Sequence, residues 1–216
     1  MNYIEKINEL KAEITRLEKE MNEKPTAILR NIFPFDNVQT WDIGDIIQFN
    51  LTDGESIEAQ CQKIEDGKAI FWVTHCLEKP HIMETDSGVS KWEETELRIY
   101  LNTEVLDRFP QEIRKKMIPI YKDDLLTIPS MEDIFGDWDY DRWKPKADGL
   151  NNRNWKLMEN KQYRSNGAWY WLRSSCYYSS YGYYWCYVSA SGGASVDDGG
   201  DASGLAPAFA IQTKGF

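Results

Sequence analysis

Near its C-terminal end the chain reads WYWLRSSCYYSSYGYYWCYVSASGGASVDDGGDASGLAPAFAI, and this stretch constrains the fold more than any other. From Ser174 to Gly204, 28 of 31 residues are Tyr, Ser, Gly, Asp, Ala or Cys, the exceptions being Trp185, Val188 and Val196. That is not a core composition, yet apolar segments bracket and interrupt it at Ala168–Leu172, Trp185–Val188 and Ala206–Ile211, each apolar enough for a buried strand. A disordered Gly/Ser/Tyr-rich tail would lack such anchors, because disorder requires low hydrophobicity. The expected arrangement is therefore a segment that crosses a sheet while carrying its own loops, and loops on a rigid scaffold are where binding residues concentrate.

The rest of the chain is acidic, with net charge −10, and has no clustered Lys/Arg stripe for tracking phosphates, which argues against nucleic-acid binding. MNYIEKINELK has neither the basic start nor the apolar run of a secretory leader, and no segment reaches the length of a membrane span. A protein made in the cytoplasm, without membrane insertion, is the expectation. Cys61, Cys76, Cys176 and Cys186 are too few and scattered for a disulfide scaffold and read as free thiols.

Residues 1–24 form a separate unit. Tyr3, Ile7, Leu10, Ile14, Leu17 and Met21 alternate spacings of four and three, which predicts a three-heptad amphipathic helix ending before Pro25. Ile at a and Leu at d favour a parallel pair, a route to a homo-oligomer, but that pairing sets Lys6 against Lys11 and Glu13 against Glu18. Packing against its own domain is the alternative. Residues 25–216 read as the main domain. Strands are expected over Asp45–Leu51, Ser56–Ile64 and Ala69–Thr74, joined by the Asp-Gly turns of TDGE and EDGK into an antiparallel meander. A capping box at Ser90 and Glu93 predicts a helix with Trp92, Leu97 and Leu101 on one side before Asn102. A second helix is expected from Pro110 with Ile113 and Met117, and a third from Ser130 to Gly136. The following polar stretch reads as an ordered loop pinned by Trp138, Trp143 and Trp155. The fold class is thus α+β, with short antiparallel strands and a few helices.

WYWLRS, a stretch containing Trp185 and Val188, and then GLAPAFAI together resemble the closing signature of the C-type-lectin-fold variable proteins of diversity-generating retroelements, in the branch related to formylglycine-generating enzymes. WEETELRIYLN and LLTIPSMEDIFG are similar to an uncharacterised bacterial and phage domain family with the same ending; the resemblance covers roughly residues 38–212. It implies a C-type-lectin-like domain whose variable region, about 174–204, is rewritten by a reverse transcriptase that misreads adenines, in a phage, whose virion would carry the protein, or in a bacterium. Composition agrees. An AAC or AAT codon changed at its adenines yields Tyr, Ser, Asp, Gly, Ala or Cys, but not Lys, Glu, Gln, Met or Trp, and none of those five occurs from Ser174 to Phe209 except Trp185; no Asn follows Asn166. Tyr supplies contact area at little entropic cost, and Ser, Gly and Asp supply adaptable hydrogen bonds, as in antibody paratopes. The candidate ligand-binding residues are Tyr177, Tyr178, Ser179, Ser180, Tyr181, Tyr183, Tyr184, Tyr187, Ser189, Ser191, Asp197, Asp198 and Asp201, facing an unidentified protein or surface ligand. Trp185 and Val188 are expected beneath them, buried through a local twist or bulge.

Other chemistry reads weakly. Cys176 and Cys186 could serve a cysteine-dependent oxidase of the formylglycine type, but no His or Lys adjoins either in sequence to support a thiolate. Cys61, His75, Cys76 and His81 match no zinc-ligand spacing, and Asp137, Asp139 and Asp141 lack the glycine of a calcium loop. No cofactor, no metal and no catalysis are expected. An invariant structural or adhesin-like domain of the same fold is the other reading.

Overall fold

The computed structural model describes residues 40–146, 152–177 and 182–213, with the single positions 6 and 11; the heptad helix expected over residues 1–24 lies outside the described residues except for Lys6 and Lys11, both helical. The meander forms where the Asp-Gly turns place it: β1 (Ile46–Asn50), β2 (Ser56–Glu65) and β3 (Lys68–Val73) pair antiparallel. Asp66 and Gly67, at φ 47° and 74°, close the β2–β3 hairpin as the two-residue turn whose twist suits the flanking strands. β4 (Met117–Ile118), β5 (Leu126–Thr127) and β11 (Ala208–Gln212) complete the main sheet in the order β1-β2-β3-β11-β4, with β5 also on β11. The ladders are antiparallel and the helices few and short, so the chain is α+β.

AIFWV in β3 and AFAI in β11 are continuously apolar because the main sheet is covered on both faces. Odd positions Phe71, Val73, Phe209 and Ile211 enter one core; even positions Ile70, Trp72, Ala208 and Ala210 enter another. Phe71 and Phe209 are cross-strand partners, stack at 5.8 Å and are wholly buried, and Phe109 meets Phe209 edge-on at 5.7 Å. Each such ring contributes about 1.5–3 kcal/mol by leaving water.

The helical segment is longer and less regular than its sequence suggests. A 3₁₀ turn, Trp92–Glu94, leads to α-helix Glu96–Tyr100, a π turn Leu101–Val105 and a last helical turn Leu106–Arg108. The cap is not the Ser90/Glu93 box. Thr95 accepts from the Arg98 amide, while Glu93 is taken by Lys122 and Tyr121, and the Ser90 carbonyl accepts from Ser175 Oγ. Helix Gln111–Arg114 is capped by Pro110, but Met117 belongs to β4, where it pairs with Ile211. Ser130 does form a capping box, with Asp133, for helix Met131–Phe135, which ends at Gly136. The loop beyond holds a small ladder of β6 (Trp138–Asp139) and β7 (Lys144–Pro145), with Trp138 edge-on to Trp143 at 5.5 Å, whereas Trp155 is buried in the second core. Among the described residues no helix is long and apolar enough to cross a membrane.

Only β11 carries the C-terminal segment into the main sheet. The tyrosine-rich stretch builds a sheet of its own from β8 (Tyr170–Tyr177), β9 (Tyr183–Val188) and β10 (Ala194–Asp197), in the order β10-β9-β8.

Candidate ligand-binding surface

β9 is the framework of this small sheet. Trp185 and Val188 are buried at 1% and 0% exposure. They point to opposite faces, as strand alternation demands, and neither needs a bulge, because both cores reach the sheet: Trp171, Trp185 and Tyr187 join the first, and Tyr170, Leu172, Cys186 and Val188 the second. The register shift falls instead on β8, between Trp171 and Ser175.

A strap over residues 81–90 clamps the sheet through the backbone. Gly199 carbonyl accepts from the Met83 and Glu84 amides, Ser87 carbonyl from the Tyr183 amide, and His81 and Ser203 exchange two bonds at 3.0 Å. The Glu84 carboxylate, itself buried, accepts from the Thr85, Asp86 and Glu96 amides and so fixes the strap's turn to the helix. Two glycines among residues 174–204 are dictated by this clamp. Gly199 has φ 91°, and a Cβ there would stand 2.9 Å from Trp185 Cδ1; one at Gly204 would meet the Trp169 carbonyl oxygen at 2.5 Å and Cys76 Sγ closer still.

The candidate residues divide into groups along the sheet. Tyr177, 68% exposed, opposes the half-buried Tyr183 across β8 and β9, with ring centres 5.4 Å apart. Tyr184 is half-buried next to them. Ser189 and Ser191 shape the turn after β9, where Ser189 Oγ contacts Ser191 Oγ at 3.2 Å and accepts from the Gly193 amide. Tyr183 opens β9 and Ser189 follows its last residue, six residues on and about 20 Å away, so the described candidates extend along the sheet. Asp198 and Asp201 are exposed and Asp197 half-buried. Tyr178, Ser179, Ser180 and Tyr181 lie outside the described residues.

Tyr187 corrects the expectation that it reaches solvent freely: it is 7% exposed. Trp169 stacks on it at 4.9 Å and 11°, and Trp171 meets it edge-on at 6.1 Å. Its remaining surface belongs to a pocket of about 460 Å³, which it shares with Trp169, Trp171, Asp197, Asp201 and Ser203. Trp169 corrects the expectation of a buried strand over Ala168–Leu172: it precedes β8, which begins at Tyr170, and its 52% exposure for so large an apolar side chain is the signal that matters. Sequence reading missed Ser203; its Oγ donates to the Trp169 carbonyl at 3.0 Å and ties the pocket wall to the strand.

The thiols are arranged more specifically than their spacing implies. Cys176 and Cys186 lie on the paired strands β8 and β9; the Cys186 thiol holds Cys176 below its ordinary range, while burial and the neighbouring Cys176 push Cys186 well above it. A thiolate-supporting neighbour therefore exists, and it is the second cysteine. Burial raises Cys61 to about 12 and Cys76 to about 11. His75 Nε2 is 3.1 Å from the Ser56 carbonyl, His81 stacks on Tyr100 at 4.1 Å, and Cys76 accepts from Asn166. Asp137 accepts from Asn152 and Asp139 from the Arg142 amide. Among the described residues no three His, Cys, Asp or Glu side chains are grouped as metal ligands. No family model, curated protein or solved structure matched the chain.

Proposed function

We propose that the protein is a diversified ligand-binding protein of C-type-lectin-like fold, in which retroelement mutagenesis varies the surface of residues 174–204 while the framework stays constant. The observation that carries this reading is the separation of buried from open positions within one strand system. Trp185, Cys186 and Val188 are enclosed, while Tyr177, Ser191, Asp198 and Asp201, all reachable from adenine-containing codons, are exposed. A scaffold tolerates many surface sequences only when its core positions lie elsewhere, since exposed substitutions usually stay within about 0.5 kcal/mol. Sequencing the native locus across clones tests the proposal: substitutions should cluster at the tyrosine, serine and aspartate positions and spare Trp185, Val188, Gly199, Gly204, Pro207 and Phe209. Variation spread evenly over the gene would overturn it.

The Cys176–Cys186 contact favours a second reading, a cysteine-dependent oxidase. It requires that both thiols persist in every clone while the rest of the region varies. Since both arise by adenine substitution, their loss in some clones would exclude it.

A further inference from the structure

The pocket beside Tyr187 has a definite chemical character. Its floor is aromatic: Trp169 and Trp171 precede residues 174–204, Trp169, half open to solvent, lies flat on Tyr187, itself one of the candidate positions, and Trp171 closes one edge. Its rim carries Asp197 and Asp201, and among the described residues no Lys or Arg lines it. Among the described residues neither carboxylate is engaged in an ion pair; Asp197 accepts only from the adjacent Asp198 amide. The comparable concavity of about 450 Å³ at Tyr121 and Arg173 is different, because Arg173 is already committed to Asp133 at 2.9 Å, to the Ile128 carbonyl and to the Tyr121 ring.

Aromatic faces present negative potential that attracts cations, and carboxylates beside an apolar wall strengthen that attraction and fix the geometry of a guanidinium. The chain as a whole, at −10, steers in the same direction. We infer that this pocket receives a cationic side chain, arginine above lysine, projecting from the surface of a partner protein. The inference builds on the ligand-binding reading and gives it a division of labour. The constant Trp169 and Trp171 supply a generic cation-attracting floor, and the variable Asp197 and Asp201 decide whether a given clone accepts the charge.

The test titrates the full chain with acetylated, amidated Gly-X-Gly tripeptides in which X is Arg, Lys, Leu or Glu, and with choline as a free cation, following the Trp169 indole resonance. The Arg peptide should shift it saturably, Lys more weakly, and Leu and Glu not at all. D197N and D201N should each weaken the Arg peptide by about tenfold, and W169A, followed on the Trp171 indole resonance because the variant lacks the first reporter, should abolish the response, with thermal melting confirming that each variant is folded. Raising salt should weaken binding. Equal response to Leu, indifference to D197N and D201N, or a response to choline tighter than to the Arg peptide would overturn the inference. The outcomes separate from those of locus sequencing: a variable locus with no cation response sinks the pocket alone, and a cation response with an invariant locus sinks diversification alone.

Discussion

At Trp185 the contrast between buried and exposed positions becomes a measurable energy. Trp185 is 1% exposed inside the first core, and truncation of such a side chain costs about 3–5 kcal/mol through lost burial and the cavity left behind. In a domain of this size that corresponds to a fall in Tm of roughly 6–20 °C for Trp185→Ala. Tyr177→Ala removes an exposed ring and should change Tm by no more than about 2 °C. Differential scanning calorimetry of the two variants decides the matter, and equal losses would place Tyr177 in the core. Gly204→Ala belongs with Trp185 although it adds only a methyl, because the new carbon would press on Cys76 and the Trp169 carbonyl; overpacking of this kind costs about 1–3 kcal/mol. The thiols give a residue-scale pH test. The Cys186 thiol lowers the acidity threshold of Cys176, so alkylation of Cys176 should turn on at lower pH than that of Cys76, whose thiol burial raises to about 11. Cys186→Ala removes that neighbour and should move the Cys176 profile to higher pH. Mass-spectrometric mapping of iodoacetamide labelling across a pH series reads this, and an unmoved profile would show that Cys186 does not set the thiol's acidity.

The elements show which parts of such a chain announce themselves. β1 to β3 were legible because Asp-Gly turns specify a hairpin by local backbone geometry, and helix Met131–Phe135 because Ser130 and Asp133 satisfy each other's amides within four residues. The Ser90/Glu93 box failed for a non-local reason: Glu93 has better partners in Lys122 and Tyr121, and these are near only after folding. The small sheet and its pocket were only partly legible. Period-two alternation cannot reveal a strand covered on both faces, so Tyr187 read as open when Trp169 and Trp171 in fact enclose it. The strap over residues 81–90 left no pattern at all, since its role is carried by backbone groups and by one carboxylate. That carboxylate makes the strap testable. Glu84→Ala removes the carboxylate acceptor of the Asp86 and Glu96 amides and one of two acceptors of the Thr85 amide, which also donates to Glu96 Oε1 at 3.2 Å; these three residues are exposed, so water can take the vacated place and the loss is about 0.5–1.5 kcal/mol per bond. Hydrogen exchange at the Met83 and Glu84 amides, which bond Gly199, should then speed up well before the β2–β3 amides respond. Unchanged protection would mean that the strap is held without Glu84.

On the scale of the whole molecule, the two-core plan separates the positions that carry the fold from those that face solvent. The main sheet is sealed by Phe71 and Phe209 on one side and Trp72 on the other, and the small sheet lends residues to both cores without lending its exposed tyrosines, serines and aspartates to either. Stability and surface sequence are then nearly independent, and substitutions at well-separated exposed sites should add rather than cooperate. A single variant carrying Tyr177→Ser, Ser191→Tyr, Asp198→Ala and Asp201→Ser tests that plan directly. Each change is surface-located and worth within about 0.5 kcal/mol, so the four together should shift Tm by no more than about 8 °C in either direction while unfolding stays one cooperative transition. The same number of substitutions at Trp171, Trp185, Val188 and Phe209 should leave no folded protein, because the summed cost of about 10 kcal/mol or more approaches the entire stability of an ordinary domain. Circular dichroism melts of the two quadruple variants provide the comparison. If the surface variant unfolds as readily as the core variant, the tyrosine-rich segment is part of the foundation, and a surface rewritten from clone to clone could not rest on this fold.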